Sequence, residues 1–434
     1  MPLTLALSGD SIIQRRLLSR TDPVLAPLFD LVRGTDIAFT NLEVLANDYR
    51  GDPAFECGGS HFGAPAWVLD ELAEAGFNLF ATATNHCGDY GIAGLLHTIE
   101  ALERRRLSFA GTGRLLEDAR RVAYHNHPNG TVALLSCCST FAKGQEASAQ
   151  TVDMPGRPGL CPLRFETVNE VTPAQMAALR DVAESLGVEK LRQEAIGSGA
   201  RLPPADPTLF PLGGLEFREA ERPLVRTAPK EGDLAALIRW VEEARGLATL
   251  VAVSIHSHEQ GATKEDPAEF LPRAARRLIE AGADLVVGHG PHLLRGLELH
   301  GGKPIFYSLG NLIGQNELVQ RIPADGYERF RADLSLTPGA VYQHRTRNDT
   351  GGFPADRRYW ETVLPVLTYT DGRLTEMVVH PVSLGFGEAR YLRGRPRLAK
   401  GEEGAGILRR FAELSRTFGT AMEVGDGTSR VVLA

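Results

Sequence analysis

The feature that most constrains this chain is a rhythm of short apolar runs, each ending on polar residues and each separated from the next by a stretch with helical spacing. "LTLALSGD" closes on Asp10, and "DIAFTNLEV" holds Asn41 and Glu43. "FNLFATATNHCGD" runs into Asn85, His86 and Asp89, "ATLVAVSIHSH" into His256 and His258, and "ADLVVGHGPH" into His289 and His292. Between these runs, Ala66–Ala75, "GIAGLLHTIEALERRR", "DLAALIRWVEEAR" and "EFLPRAARRLIEAG" repeat apolar residues at intervals of three and four, the pattern of helices lying on a sheet. Strands alternating with helices predict a layered α/β core.

In open α/β sheets ligands bind beyond the carboxyl ends of the strands, so the five polar clusters fall where they can converge. One histidine at a strand end is most often a satisfied structural residue. Five clusters in phase with five strands point instead to a metal or catalytic centre. Carboxylate, amide oxygen and imidazole are ligands suited to divalent metals such as Mn, Zn or Fe.

The rest of the chain narrows the class. A formal charge of −7, with both signs mixed along the sequence, leaves no electrostatic footprint for nucleic acid. No window has the roughly 18 apolar residues of a membrane span, and the N-terminus lacks the basic start and cleavage site of a signal peptide. Cys57, Cys87, Cys137, Cys138 and Cys161 form no Cys-x-x-Cys pair, which predicts reduced thiols and a cytoplasmic protein. Residues 1–434 read as one domain. From 140 to 231 the rhythm gives way to Pro- and Gly-rich segments around a single helix, "PAQMAALRDVAESLGVEKLRQEA", which predicts an irregular insertion serving as a lid or substrate-binding region. Arg157 and Arg164 lie in it and are candidates for pairing with a substrate carboxylate. No sequence feature fixes an oligomeric state.

The motifs "SGD" at 8–10, "NLE" at 41–43, "NHCGDYG" at 85–91, "SIHSH" at 254–258, "GHGPH" at 288–292 and "YSLGN" at 307–311 closely resemble, in order and along most of the chain, those of the CapA family of poly-γ-glutamate capsule synthesis proteins. That resemblance implies an α/β fold of the calcineurin-like metallophosphoesterase type, with β-sheets flanked by helices. The departures are informative. A two-metal phosphoesterase opens with Asp-x-His, whereas this chain has Asp10-Ser11-Ile12; it has Asn41-Leu42-Glu43 for the bridging motif and Cys87 after His86. The resemblance thus implies one divalent ion (Mn, Zn or Ca), held by Glu43, Asn85, His256 or His258, and His289, with no organic cofactor.

With one metal position depleted, Asp10 and His292 are expected to be freed as a proton-transfer pair. His86, oriented by Asp89, would be a second. Two such pairs around one cation suit removal of a proton from one face of a carbon and its return on the other. The family includes lasso-peptide epimerases, which this chain resembles in length and site. The implied function is therefore metal-dependent epimerisation at the Cα of a C-terminal residue of a peptide substrate, with metallophosphoesterase-type hydrolysis or polyglutamate biosynthesis as the alternative.

Overall fold

The computed structural model describes residues 2–433. Its first sheet is built around Leu3–Ile12, which runs parallel to Ile37–Leu42; beyond that strand lie Leu79–Ala81 and Ser108–Ala110, also parallel. On the other side Glu361–Thr370 and Arg373–Ser383 form an antiparallel hairpin. The second sheet centres on Leu250–His256, flanked in parallel by Gly130–Cys138 and Leu285–His289.

Alternation along the strands decides the layers. Leu3, Leu5 and Leu7 face Leu134, Leu285, Val287 and Phe306 of the second sheet in a core between the two, while Ala6 points outward among Leu28, Phe29, Leu69 and Leu72 of the helices Ala26–Arg33 and Val68–Glu74. In Leu250–His256 the same period sends Leu250 and Ala252 inward, and Val251, Val253 and Ile255 against the helices Glu231–Arg245 and Phe270–Glu280. The result is helices, sheet, sheet, helices, the layered α/β arrangement expected from the sequence. Leu134 is fully buried in the inter-sheet core. Leu134→Ala is expected to cost about 3 kcal/mol, seen as a lowered urea midpoint with an unchanged slope.

The insertion differs from its reading as an irregular segment with one helix. Thr172 and Gln175 form a capping box that starts a helix at Pro173–Ser185, and Gly187, at φ 66°, breaks the chain before a second helix at Val188–Gly197. Phe165–Val171, Phe210–Leu212, Leu215–Glu219 and Leu224–Pro229 form a separate four-stranded sheet. It stands on the start of the helix Phe270–Glu280, where Phe165 stacks on Phe270 at 4.4 Å and Arg226 meets Glu269 at 3.2 Å. Among the described residues no helix is long and apolar enough to cross a membrane.

Candidate metal centre and proton-transfer pairs

Strand register brings the five clusters together. Asp10 is paired across the sheet with Asn41 on one side and Asn311 on the other, and His256 is paired with His289 in the second sheet. Backbones must approach closely for this. A Cβ on Gly9 would lie 1.9 Å from the Gly310 carbonyl oxygen, and one on Gly290, already at φ 117°, would lie 2.9 Å from the Ser257 nitrogen. The glycines of "SGD" and "GHGPH" are thus demanded by packing at the site, and that of "SLGN" by its φ of 64°.

Asp10 is fully buried and accepts hydrogen bonds from Asn41 Nδ2 at 2.8 Å and the Gly290 N–H at 3.0 Å. His292 Nδ1, His289 Nδ1 and His256 Nδ1 lie 3.4, 3.5 and 3.8 Å from its carboxylate. Burial works to raise its pKa but is outweighed by the His292 hydrogen bond and by His256 and His289, which hold Asp10 well below the usual carboxylate range. Glu43 behaves oppositely. Burial first, and the Asp10 charge second, push its pKa well up, and neither carboxylate oxygen has a hydrogen-bond partner.

The imidazoles crowd one another. His256 Nδ1 is 2.9 Å from His289 Nδ1, and His256 Nε2 is 2.9 Å from Asn85 Oδ1 and 3.1 Å from His258 Nε2. Burial pushes His289 down to about 4, with Asp10 partly opposing it, and drives His256 and His258 well below the usual histidine value. Neutral rings with nitrogens turned towards one another, beside a carboxylate whose oxygens lack partners, are what a divalent cation would satisfy, so the donor set fits a metal. Two trios have their ligand atoms within 4.8 Å of one another: Asp10, His256 and His289, and Glu43, His258 and His292.

The second cluster is simpler. His86 Nδ1 bonds Asp89 Oδ2 at 2.7 Å, the same oxygen accepts the Phe62 N–H at 2.8 Å, and the His86 ring stacks on Phe62 at 4.2 Å. The imidazole is held in plane and in tautomer by a buried acid. Cys87, which follows it, is buried, and burial pushes its thiol pKa well up, which disfavours the reactive thiolate.

Over residues 4–316 the chain matches the family model described as bacterial capsule synthesis protein PGA_cap. The chain belongs to this family. It is 31% identical over 435 residues to proteins y4sH and y4uA of Sinorhizobium fredii, across 98% of this chain and 91% of each relative. It is 26% identical over 283 residues to the PGA biosynthesis protein CapA of Bacillus subtilis, across 65% of this chain and 50% of that one. It is 27% identical over 257 residues to the probable polyglutamine synthesis accessory protein Rv0574c of Mycobacterium tuberculosis, across 59% and 49% of the two chains. The two-sheet core of this PGA_cap member is the metallophosphoesterase-like fold that its motifs implied.

Several assignments made from the PGA_cap motifs change with the geometry. Asp10 and His292, expected side by side as a proton-transfer pair, lie 3.4 Å apart, but each also belongs to a trio able to hold a metal, and Asn311 Oδ1, at 2.9 Å, is nearer to His292 Nδ1 than Asp10 is. Glu43 groups with His258 and His292, whereas His256 and His289 group with Asp10. Ile12 is buried in the outer hydrophobic core, so the place of the missing histidine is filled by packing.

The two arginines are engaged in structure. Arg164 makes a bidentate ion pair with buried Asp233, at 2.7 and 2.8 Å, and with Arg120, at 3.2 Å, neutralises that buried charge at the start of a helix. Arg157 bonds the Glu146 carbonyl at 2.9 and 3.2 Å. Arg164 is thus committed to Asp233, whereas Arg157 keeps its Nη1 outside these bonds. Asn41, Asn311, Phe62 and Ser254, whose Oγ is 2.6 Å from His289 Nε2, support the site without having been singled out by role. Asn311 carried the same signal as the others, a polar residue closing the apolar run "PIFYSLGN".

Proposed function

We propose that this PGA_cap member is a metal-dependent enzyme that inverts the α-carbon of a residue in a peptide-type substrate. The observation that carries the reading is that two histidine–carboxylate pairs meet at the buried donor cluster: His86 with Asp89, after Leu79–Ala81, beside it, and His292, after Leu285–His289, with Asp10 at 3.4 Å, within it. Relatives named for PGA biosynthesis and polyglutamine synthesis support a peptide-type substrate.

Asp89 holds the Nδ1–H of His86, which leaves Nε2 to take a proton. His292 is held through Nδ1 by Asn311 and Asp10 and is placed to exchange a proton from the second sheet. His292 also sits at φ 61°, a conformation costly for a residue with a Cβ and characteristic of functional positions. A divalent ion in the cluster supplies positive charge where the substrate carbonyl oxygen gains electron density.

Hydrolysis is the second reading, favoured by the trio Glu43, His258 and His292. If His292 serves as a ligand there, one proton-transfer pair remains, the complement that metal-assisted cleavage of an ester or amide requires.

The test uses metal-loaded protein in deuterated water with short acylated peptides bearing a free C-terminus. Deuterium at Cα and a mixture of two epimers are expected. Release of p-nitrophenol from p-nitrophenyl phosphate with no Cα deuteration would transfer the assignment to hydrolysis.

A further inference from the structure

Beside His292 opens a cavity of about 450 Å³, within the range of roughly 300–1,000 Å³ common for small-ligand sites. Its lining includes Lys264, Glu317, Arg345, Phe353, Asp356 and Tyr359. The two carboxylates are already neutralised, Glu317 by Arg393 at 2.7 Å and Asp356 by Arg358 at 2.7 Å. The two other charged residues are not. Among the described residues Lys264 has no carboxylate partner and bonds only the Tyr359 hydroxyl, at 2.6 Å, while Arg345 bonds Ser60 Oγ at 3.1 Å and lies over the Phe330 ring. The cavity therefore carries two uncompensated positive charges on an aromatic lining.

Its position links it to both proton-transfer groups. Phe353 has its ring 5.2 Å from that of His292 and stacks on Tyr359 at 4.2 Å. On the other rim, Ser60, bonded by Arg345, lies two residues before Phe62, the ring stacked on His86. The loop carrying Lys264 is fixed from beneath, since fully buried Arg295 donates to the carbonyls of Lys264 at 3.0 Å and Glu259 at 2.9 Å.

We infer that this cavity is where the substrate is anchored, through a carboxylate held by Lys264 and Arg345, with the adjoining side chain against Phe353 and Tyr359. The inference rests on the peptide reading of the site. It is a carboxylate clamp separate from Arg157 and Arg164, whose guanidinium groups bond Glu146 and Asp233. Both a chain-terminal carboxylate and an acidic side chain have the chemistry required; guanidinium and ammonium groups meet either with charge-assisted hydrogen bonds.

The test titrates metal-loaded full-length protein calorimetrically with N-acetyl-Ala-Ala-Phe as the free acid, with its C-terminal amide, and with N-acetyl-Ala-Glu amide. The free acid is expected to bind, Lys264→Met and Arg345→Met each to weaken it about tenfold, and the double variant to abolish it, while Arg345→Lys retains part of the affinity. Unaltered circular dichroism and metal content in the variants separate loss of the clamp from loss of the fold. Binding of the Phe acid but not its amide assigns the clamp to a terminal carboxylate; cation-dependent binding of the Glu amide assigns it to a side chain. Equal binding of the Phe acid and amide without Glu-amide binding, binding of any probe unchanged in the double variant, or no binding at all would overturn the site. Cation-dependent binding without Cα exchange would leave the clamp standing and remove epimerisation. Exchange whose half-saturating peptide concentration ignores both cations would do the reverse.

Discussion

Glu43→Gln is expected to empty the metal centre and to lower turnover by at least on the order of 10³-fold, since a bound cation contributes several kcal/mol of charge stabilisation where a carbonyl becomes an enolate. Glu43 is chosen because both its oxygens are buried without hydrogen-bond partners. Among the described residues its ion-pair neighbours, His292 Nδ1 at 3.7 Å and His256 Nε2 at 3.8 Å, stand beyond hydrogen-bond reach, so a ligand is what would offset its burial. Glutamine has nearly the same shape and carries no charge. The metal-free variant should therefore melt no lower than the metal-free parent, because a carboxyl that burial and Asp10 already disfavour as an anion is replaced by a neutral amide. Elemental analysis of protein purified without added metal should show the ion lost, and differential scanning calorimetry should show the fold intact. A variant that kept its ion and its rate would remove Glu43 from the metal centre and leave Asp10, His256 and His289 to hold it alone.

Much of this site could be read in the sequence because parallel strands place their ends side by side. Once "SGD", "NLE", "SIHSH" and "GHGPH" are taken as strand ends, the pairing of Asp10 with Asn41 and of His256 with His289 is a matter of register. The core followed for a related reason: Leu3, Leu5 and Leu7 alternate with residues of the other face, and a period of two has one inward side.

What escaped depends on partners far along the chain. Asp233 lies 69 residues from Arg164, and no local pattern marks an arginine whose duty is to neutralise a buried acid. In the insertion, "FETVNEV" and "LVRTAP" form strands of a sheet that is largely open to solvent, so they lack the apolar run that marked the central strands. The helix break at Gly187 was hidden because apolar spacing continues on both sides of it. Which donors share a metal was never legible, because trios drawn from both sheets depend on how the sheets face one another.

His86→Ala is expected to lower inversion by roughly 10³-fold while leaving the metal in place, because a positioned general base contributes about 10²–10⁴-fold and the imidazole bonds Asp89 but none of the donor trios. Asp89→Asn should cost less in rate and as little in metal, since it keeps the shape but no longer fixes the tautomer that leaves Nε2 unprotonated. The sharper outcome is isotopic. If His86 and His292 serve opposite faces of one carbon, a peptide of the configuration served by His292 should still exchange its Cα proton slowly with deuterated water in His86→Ala, without inversion. The opposite epimer, served by His86, should exchange hardly at all. Loss of a metal ligand predicts something else, silence for both epimers, because neither proton can leave while the carbonyl oxygen is unsupported. The two kinds of variant thus separate proton transfer from charge stabilisation within one experiment. If His86→Ala suppresses exchange equally for both epimers while keeping its ion, His292 acts as a ligand instead of a second base, and the site has the single proton-transfer pair of a hydrolase.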